Sequence, residues 1–339
     1  MNTNKTITIG KNLIKPGERK VLHLSVASLY DYTQLKIPVE VICGKKAGPT
    51  LFISAAIHGD EINGVEIIRR LLNKKFINKL NGTLIAVPIV NVFGFNNRSR
   101  YLPDRRDLNR SFPGSKKGSL ASNLAHIFMR EIVRKCTHGI DLHTGAIHRS
   151  NLPQVRACIE DPETLKLAKD FGVPVIIHSA TRDGSLREAA RKKKIPMLLF
   201  EGGEALRFEE NIIKSGVNGC ISVMKNIGML DSLVKTSLPK PPKKKTFIAT
   251  DSTWERAPHS GCLSFKKKIG DYVKVGDILA IISDPFGTNK HAITSQNSGI
   301  IIGITKIPLV NKGDAVFHTA TFTNSSKVKH AIDLSDYSS

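Results

Sequence analysis

The chain has 339 residues, 40% of them hydrophobic, enough for one large domain plus a small one with a sizeable core. Its five cysteines are scattered with no CxxC pair, which argues against a disulfide framework or a thiolate zinc site and suits a reducing compartment. A formal charge of +22 favours acidic partners, but the basic residues are dispersed and only 6% of residues are aromatic, so a stacking groove for single-stranded nucleic acid is not expected.

The N-terminus, MNTNKTITIGKNLIKPGERK, has no apolar signal region, and no apolar run approaches the roughly 18 residues that span a bilayer. A cytoplasmic protein without a membrane partner is expected. Residues 20 to 45 read as a leading β-hairpin. From about residue 50 to 230, strand-like runs and helical patterns then alternate. The strands are TLFISAAI, TLIAVPIV, GIDLHT, PVIIHS and PMLLFEG; the helices are Glu61 to Leu72, Leu120 to Val133, Pro162 to Phe171, Ser185 to Lys193 and Glu209 to Ile227. This alternation predicts an α/β fold with a largely parallel sheet flanked by helices. Gly59 is expected to allow a sharp turn and Asp60 to cap the helix that follows, with Glu61 in its first turn.

LPKPPKKK, residues 238 to 245, combines proline with like charge and reads as a linker. It divides the chain into a catalytic part, 1–237, and a C-terminal unit, 246–330. In the latter, the stretches from Ser260 and Ser298 share SG, a β-rich run and a GD turn, an internal repeat that predicts a small all-β barrel-like domain.

In open α/β sheets ligands bind beyond the carboxyl ends of the strands. His58 ends one strand with Glu61 just beyond, His143 ends GIDLHT, and Glu201 ends PMLLFEG. Two histidines and a glutamate make the ligand set of a catalytic zinc with a position left for water. Glu201 is then free to act as base. Asp141 shares a strand face with His143 and is either an orienting carboxylate or a buried one held by backbone N–H groups. Between the second and third strands lies a long Arg- and Asn-rich loop, residues 91 to 114, which supplies candidates to hold an oxyanion and a substrate carboxylate.

HGDE at 58–61, DLNRSFPG at 107–114, DLHTG at 141–145 and FEGGE at 200–204 occur in the order that resembles the succinylglutamate desuccinylase and aspartoacylase family, whose fold is zinc-carboxypeptidase-like. The resemblance covers roughly residues 40 to 230. It implies one Zn²⁺ per chain on His58, Glu61 and His143, Glu201 as general base and proton shuttle, Arg100 for the oxyanion, and Asn109 with Arg110 for a substrate carboxylate. Relative to aspartoacylase, two extra residues separate Arg100 from DLNR, which leaves Arg98, Arg105 and Arg106 as rivals. His148 is expected in a loop, and His178 is a candidate to line the pocket. The C-terminal unit looks like a biotinyl or lipoyl carrier domain without its modification motif, hence an unmodified barrel that narrows access to the cleft. The expected function is removal of an acyl group from an N-acyl amino acid or related small carboxylate-bearing amide. A metallocarboxypeptidase-type peptidase and a noncatalytic basic binding module are the alternatives, and a homo-oligomer is left open.

Overall fold

The computed structural model describes residues 3–179, 182–231 and 246–323, and the linker expected at 238–245 lies outside them. A ribbon of Ile7–Ile9 and Asn12–Ile14 precedes the main sheet. The chain then runs through β1 (Arg19–Ser28), β2 (Gln34–Cys43), β3 (Thr50–Ala55), α1 (Asn63–Leu72), β4 (Thr83–Val87), α2 (Val92–Asn96) and α3 (Leu120–Glu131). It continues with β5 (His138–His143), β6 (Arg149–Ala157), α4 (Pro162–Phe171), β7 (Val175–His178), α5 (Leu186–Lys192), β8 (Met197–Gly203) and α6 (Glu210–Asn226). The C-terminal unit adds β9 (Phe247–Ala249), β10 (Asp251–Arg256), β11 (Gly299–Thr305) and β12 (Ala315–Thr321).

The main sheet is mixed, in the order β10-β12-β11-β6-β8-β5-β3-β4-β2-β1, with parallel pairing at its centre among β4, β3, β5 and β8. These central strands are almost wholly buried, as continuous apolar runs covered on both faces must be. Ile67, Ile68 and Leu71 of α1 pack on one face with Phe171 of α4 and Val217 of α6. Leu124 and Phe128 of α3 and Ala190 of α5 pack on the other. Local signals set the helix ends: Asp161 accepts from Thr164 N with Pro162 in the first turn, and Ser185 accepts from Glu188 N.

The C-terminal strands join this sheet through β11, which pairs with the first residues of β6 (Gly303 opposite Asn151). Gly261–Phe265, Ile278–Ser283, Lys290–Thr294 and Leu309–Val310 form a second, antiparallel sheet, and Leu263, Ile282, Ile293 and Val316 lie in a core of this unit.

Two local expectations are corrected. Helix α1 begins at Asn63, so Glu61 precedes it, and Asp60 is no cap: the N-cap is Ile62, without a side-chain cap hydrogen bond. The sharp turn expected at Gly59 is present, Glu61 N donating to His58 O at 3.1 Å, and glycine is needed in it for contact, because a Cβ there would lie 1.9 Å from the carbonyl carbon of Gly94 in α2. This close approach presses the His58–Glu61 turn against the start of the arginine-rich loop.

Candidate active site

His58 and Glu61 follow β3, and His143 ends the neighbouring strand β5. All three are buried, and one ligand atom from each lies within 4.8 Å of the others, a group able to hold a metal ion. His58 Nδ1 is 2.7 Å from Glu61 Oε1, and His143 Nδ1 is 2.7 Å from Glu61 Oε2. Both Nδ1 atoms therefore converge on one carboxylate. The outer nitrogens are held as well, since His58 Nε2 lies 3.1 Å from Asp107 Oδ1 and His143 Nε2 lies 2.6 Å from Asp141 Oδ2. Ser54 Oγ donates to Asp141 Oδ1 at 2.7 Å. A carboxylate behind each imidazole fixes the tautomer that presents Nδ1 to a metal, so the donor set fits a small divalent cation. Of the two readings of Asp141, the structure has it against the His143 ring.

Charge in this group is balanced by contact. Burial alone would raise the Glu61 pKa, but the two imidazoles hold it far below the ordinary carboxylate range. Burial lowers the His143 pKa, and Asp141 and Glu61 more than reverse that, leaving it well above the usual value.

The arginine-rich loop reaches this group through Arg100. Its Nη1 donates to Glu61 Oε1 at 3.2 Å and its Nη2 to Asp107 Oδ2 at 3.0 Å. Arg98, Arg105 and Arg106 are exposed and are not among the residues lining the cleft. Asn109 is buried, its Oδ1 accepting from Leu186 N at 2.9 Å; Arg110 donates through Nη1 to Asn109 O at 2.6 Å. Both border the cleft.

Glu201 lies beside His143 in the β8–β5 register. Arg156 Nε donates to its Oε2 at 2.7 Å and Gln154 Nε2 to the same oxygen at 3.2 Å, while Oε1 takes no hydrogen bond among the described residues. Burial pushes the Glu201 pKa up, and Arg156 overcomes this so that it lies below the ordinary value. The cleft has a volume of about 300 Å³ and is also lined by Arg182, Arg187, Trp254 and His318. His148 is exposed, its carbonyl accepting from Lys306 N at 2.7 Å, and His178 turns to Glu160 at 3.6 Å instead of lining the cleft.

Sequence reasoning missed Asp107, Gln154, Arg156, Trp254 and His318. Asp107 was within reach, because it opens the DLNR motif two residues before Asn109. The others come from β6, β10 and β12, and only strand pairing brings them here.

A helix-flanked mixed sheet, with a His–Glu–His group at strand ends beside a cleft that also holds a separate carboxylate, fits a metal-dependent α/β hydrolase. The catalytic-domain model of succinylglutamate desuccinylase/aspartoacylase matches residues 47–227, and the chain belongs to that family. It is similar to the N-alpha-acetyl-L-2,4-diaminobutyric acid deacetylase of Halomonas elongata, 26% identical over an alignment of 291 residues, with 83% of this chain and 84% of the relative covered. Its fold is that of a succinylglutamate desuccinylase/aspartoacylase from Rhodobacter sphaeroides (TM-score 0.79, 23% identity, 90% of this chain and 96% of the other). It is likewise that of the product-bound ectoine utilization protein EutE from Ruegeria pomeroyi (TM-score 0.78, 24% identity, 89% and 95%). Among the described residues, no helix is long and apolar enough to cross a membrane.

Proposed function

We propose that the protein is a zinc-dependent deacylase of the cytoplasm that hydrolyses the amide of an N-acyl amino acid or a related small carboxylate-bearing amide. His58, Glu61 and His143 would hold one zinc ion per chain, and the ion would supply Lewis acidity and a water nucleophile near neutral pH. Glu201 takes the proton from the attacking water and returns it to the leaving nitrogen; Oε1 is the oxygen without a hydrogen bond among the described residues, and Arg156 keeps the group ionised. Arg100 steadies the oxyanion, and Asn109 with Arg110 clamps a carboxylate of the substrate.

The observation that carries this reading is the cleft of a family deacylase fold in which Glu201 stands beside His58 and His143, the two histidines that meet on Glu61. Five arginines line the same cleft, Arg100, Arg110, Arg156, Arg182 and Arg187, which favours a substrate carrying negative charge. The small volume and the wall made by Trp254 and His318 favour an acyl amino acid over an extended peptide. The relative from Halomonas elongata, whose name gives an N-acetyl amino acid as substrate, supports the same class.

The test is a turnover screen of zinc-loaded protein on N-acetyl, N-succinyl and N-formyl amino acids beside short peptides. Glu201→Gln should keep its zinc while kcat falls roughly 10²- to 10⁴-fold on the substrate found. Faster cleavage of peptides would move the protein to the carboxypeptidase type, and no turnover at full zinc content would overturn the reading.

A further inference from the structure

The C-terminal unit brings Ser252, Trp254 and His318 to the cleft, and the deacylase chemistry has no use for the imidazole. His318 lies in β12, 3% exposed, and lines the cleft beside Arg156 and Glu201. The strand register sets it between Trp254 of β10 and Gly303 of β11. Its ring stacks on the Trp254 indole with centres 4.5 Å apart and planes 8° from parallel. Gly303 packs closely beside this pair, since a Cβ there would lie 2.9 Å from Asn151 Oδ1 and 3.1 Å from His318 Cβ. The Arg149 guanidinium carbon lies 5.1 Å from the centre of the same indole and adds a cation–π contact.

The imidazole is thus fixed in place, yet its Nδ1 is buried without a hydrogen-bond partner among the described residues. A buried, unpaired nitrogen is costly, and nearly all such groups in folded proteins find a partner. The group that enters this cleft during turnover is the substrate.

We propose that His318 is a specificity-determining residue whose imidazole hydrogen-bonds a polar group of the bound acyl amino acid, with Trp254 as the plate that positions it. This rests on the deacylase reading above. Burial, followed by the neighbouring Arg156, pushes the His318 pKa down to about 3, so the ring is neutral at neutral pH and offers one donor and one acceptor. It recognises a substrate without adding charge, and proton transfer stays with Glu201. The C-terminal unit is then part of the recognition surface and not only a wall.

The test uses full-length, zinc-loaded protein and the acyl amino acid that the wild type hydrolyses. Failure of the wild type to turn over any acyl amino acid counts against the deacylase reading, and the following results bear on His318 alone. His318→Phe keeps a ring on Trp254 but has no hydrogen-bonding nitrogen; KM should rise roughly tenfold or more with kcat within about threefold of wild type and zinc content unchanged. His318→Asn carries an amide near the Nδ1 position and should recover most of the lost affinity. Equal KM for wild type and the Phe variant would overturn the proposal, as would a loss in kcat alone. A measurement on the unmutated protein covers poor folding of the Phe variant: the ¹⁵N imidazole signals of His318, assigned by their loss in His318→Asn, should shift on saturation with the product amino acid and the released acid. Signals that stay still at saturation would overturn it too.

Discussion

Arg156 and Glu201 are joined by a 2.7 Å charge-assisted hydrogen bond, Nε to Oε2, across the antiparallel pairing of β6 and β8. Gln154, opposite Glu201 in that register, donates to the same oxygen at 3.2 Å. One oxygen is anchored twice, and the other takes no hydrogen bond among the described residues. Because burial by itself raises the Glu201 pKa and Arg156 is the largest opposing influence, the guanidinium is what keeps this carboxylate ionised.

Replacing Arg156 by glutamine should therefore raise the Glu201 pKa and move the acid limb of the kcat–pH profile upward. The proposed base must be ionised to work, so activity falls below its pKa; with that pKa raised, the variant should lose more activity at pH 6 than at pH 8 relative to wild type. Profiles of kcat from pH 5 to 9 on the two proteins check this. A uniform loss at all pH values would limit Arg156 to substrate binding.

Asp107 is predicted to support metal binding without touching the metal. Its Oδ1 faces His58 Nε2 at 3.1 Å and its Oδ2 accepts from Arg100 Nη2 at 3.0 Å, so it ties the ligand ring to the arginine loop. Asp107→Asn keeps the volume and loses the charge. Zinc affinity, measured by competition with a chelator of known strength, should drop roughly 10- to 100-fold, the usual effect of losing an orienting carboxylate. Asp141→Asn should do the same through His143 Nε2, and an unchanged affinity in both variants would show that the imidazoles hold their tautomers unaided.

What the sequence made legible is the part that local pattern determines. His58, His143 and Glu201 follow apolar strands whose ends face the ligand side of any α/β sheet, and four ordered motifs supplied the rest. The resemblance named Arg100, but the loop's own pattern did not separate it from its rivals, since Arg98 and Arg105 adopt positive φ values of 52° and 58° and stand exposed through tertiary contact. Strand β6 was missed because RSNLPQVRA opens polar and carries Pro153, which normally argues against an interior strand. Pro153 falls where the edge of β6 changes partner: residues 149–151 pair with β11, and residues 154–157 pair with β7. With β6 missed, Gln154 and Arg156 had no assigned place. His318 and Trp254 were hidden for the same reason, being set in the cleft by a pairing between residues more than 150 positions apart.

Acid should weaken the attachment of the N-terminal ribbon. Glu131 in α3 accepts from Gly10 N at 2.9 Å, Lys135 Nζ at 3.0 Å and Arg130 Nε at 2.6 Å. Burial opposes its ionisation, but Lys135 and Arg130 draw its pKa down to about 2. A carboxylate whose folded pKa is depressed contributes stability above its unfolded value, near 4.5, and loses it as the pH falls through about 2. Glu131→Gln should thus be less stable than wild type at pH 7 by about 1 kcal/mol, with solvent screening keeping the value small. Urea midpoints of the two proteins should converge as the pH approaches 2; a gap independent of pH would mean that packing, not charge, carries the difference.

The last prediction concerns the junction between the catalytic part and the C-terminal unit. The sequence divides the chain at 238–245, but strand pairing crosses that division, with Gly303, Ile304 and Thr305 of β11 bonded to Asn151, Ser150 and Arg149 of β6. β9 pairs in parallel with β7, placing Ala249 opposite Ile177. Under this junction Leu152, Val175 and Ile177 pack with Ala249, Ile300, Ile302 and Phe322 in one buried apolar cluster. Each large side chain so buried contributes roughly 1.5–3 kcal/mol, and separation would also uncover the open edges of β6 and β7. A protease site introduced within 238–245 and cut to completion should leave two fragments that co-elute on size exclusion in native buffer and keep the wild-type KM. Ile302→Asp, which sets an unpaired charge in the cluster, should let the cut halves separate. Clean separation of the unmutated halves without denaturant would mean that the junction adds little, and the unit would then be an independent domain that only rests against the cleft.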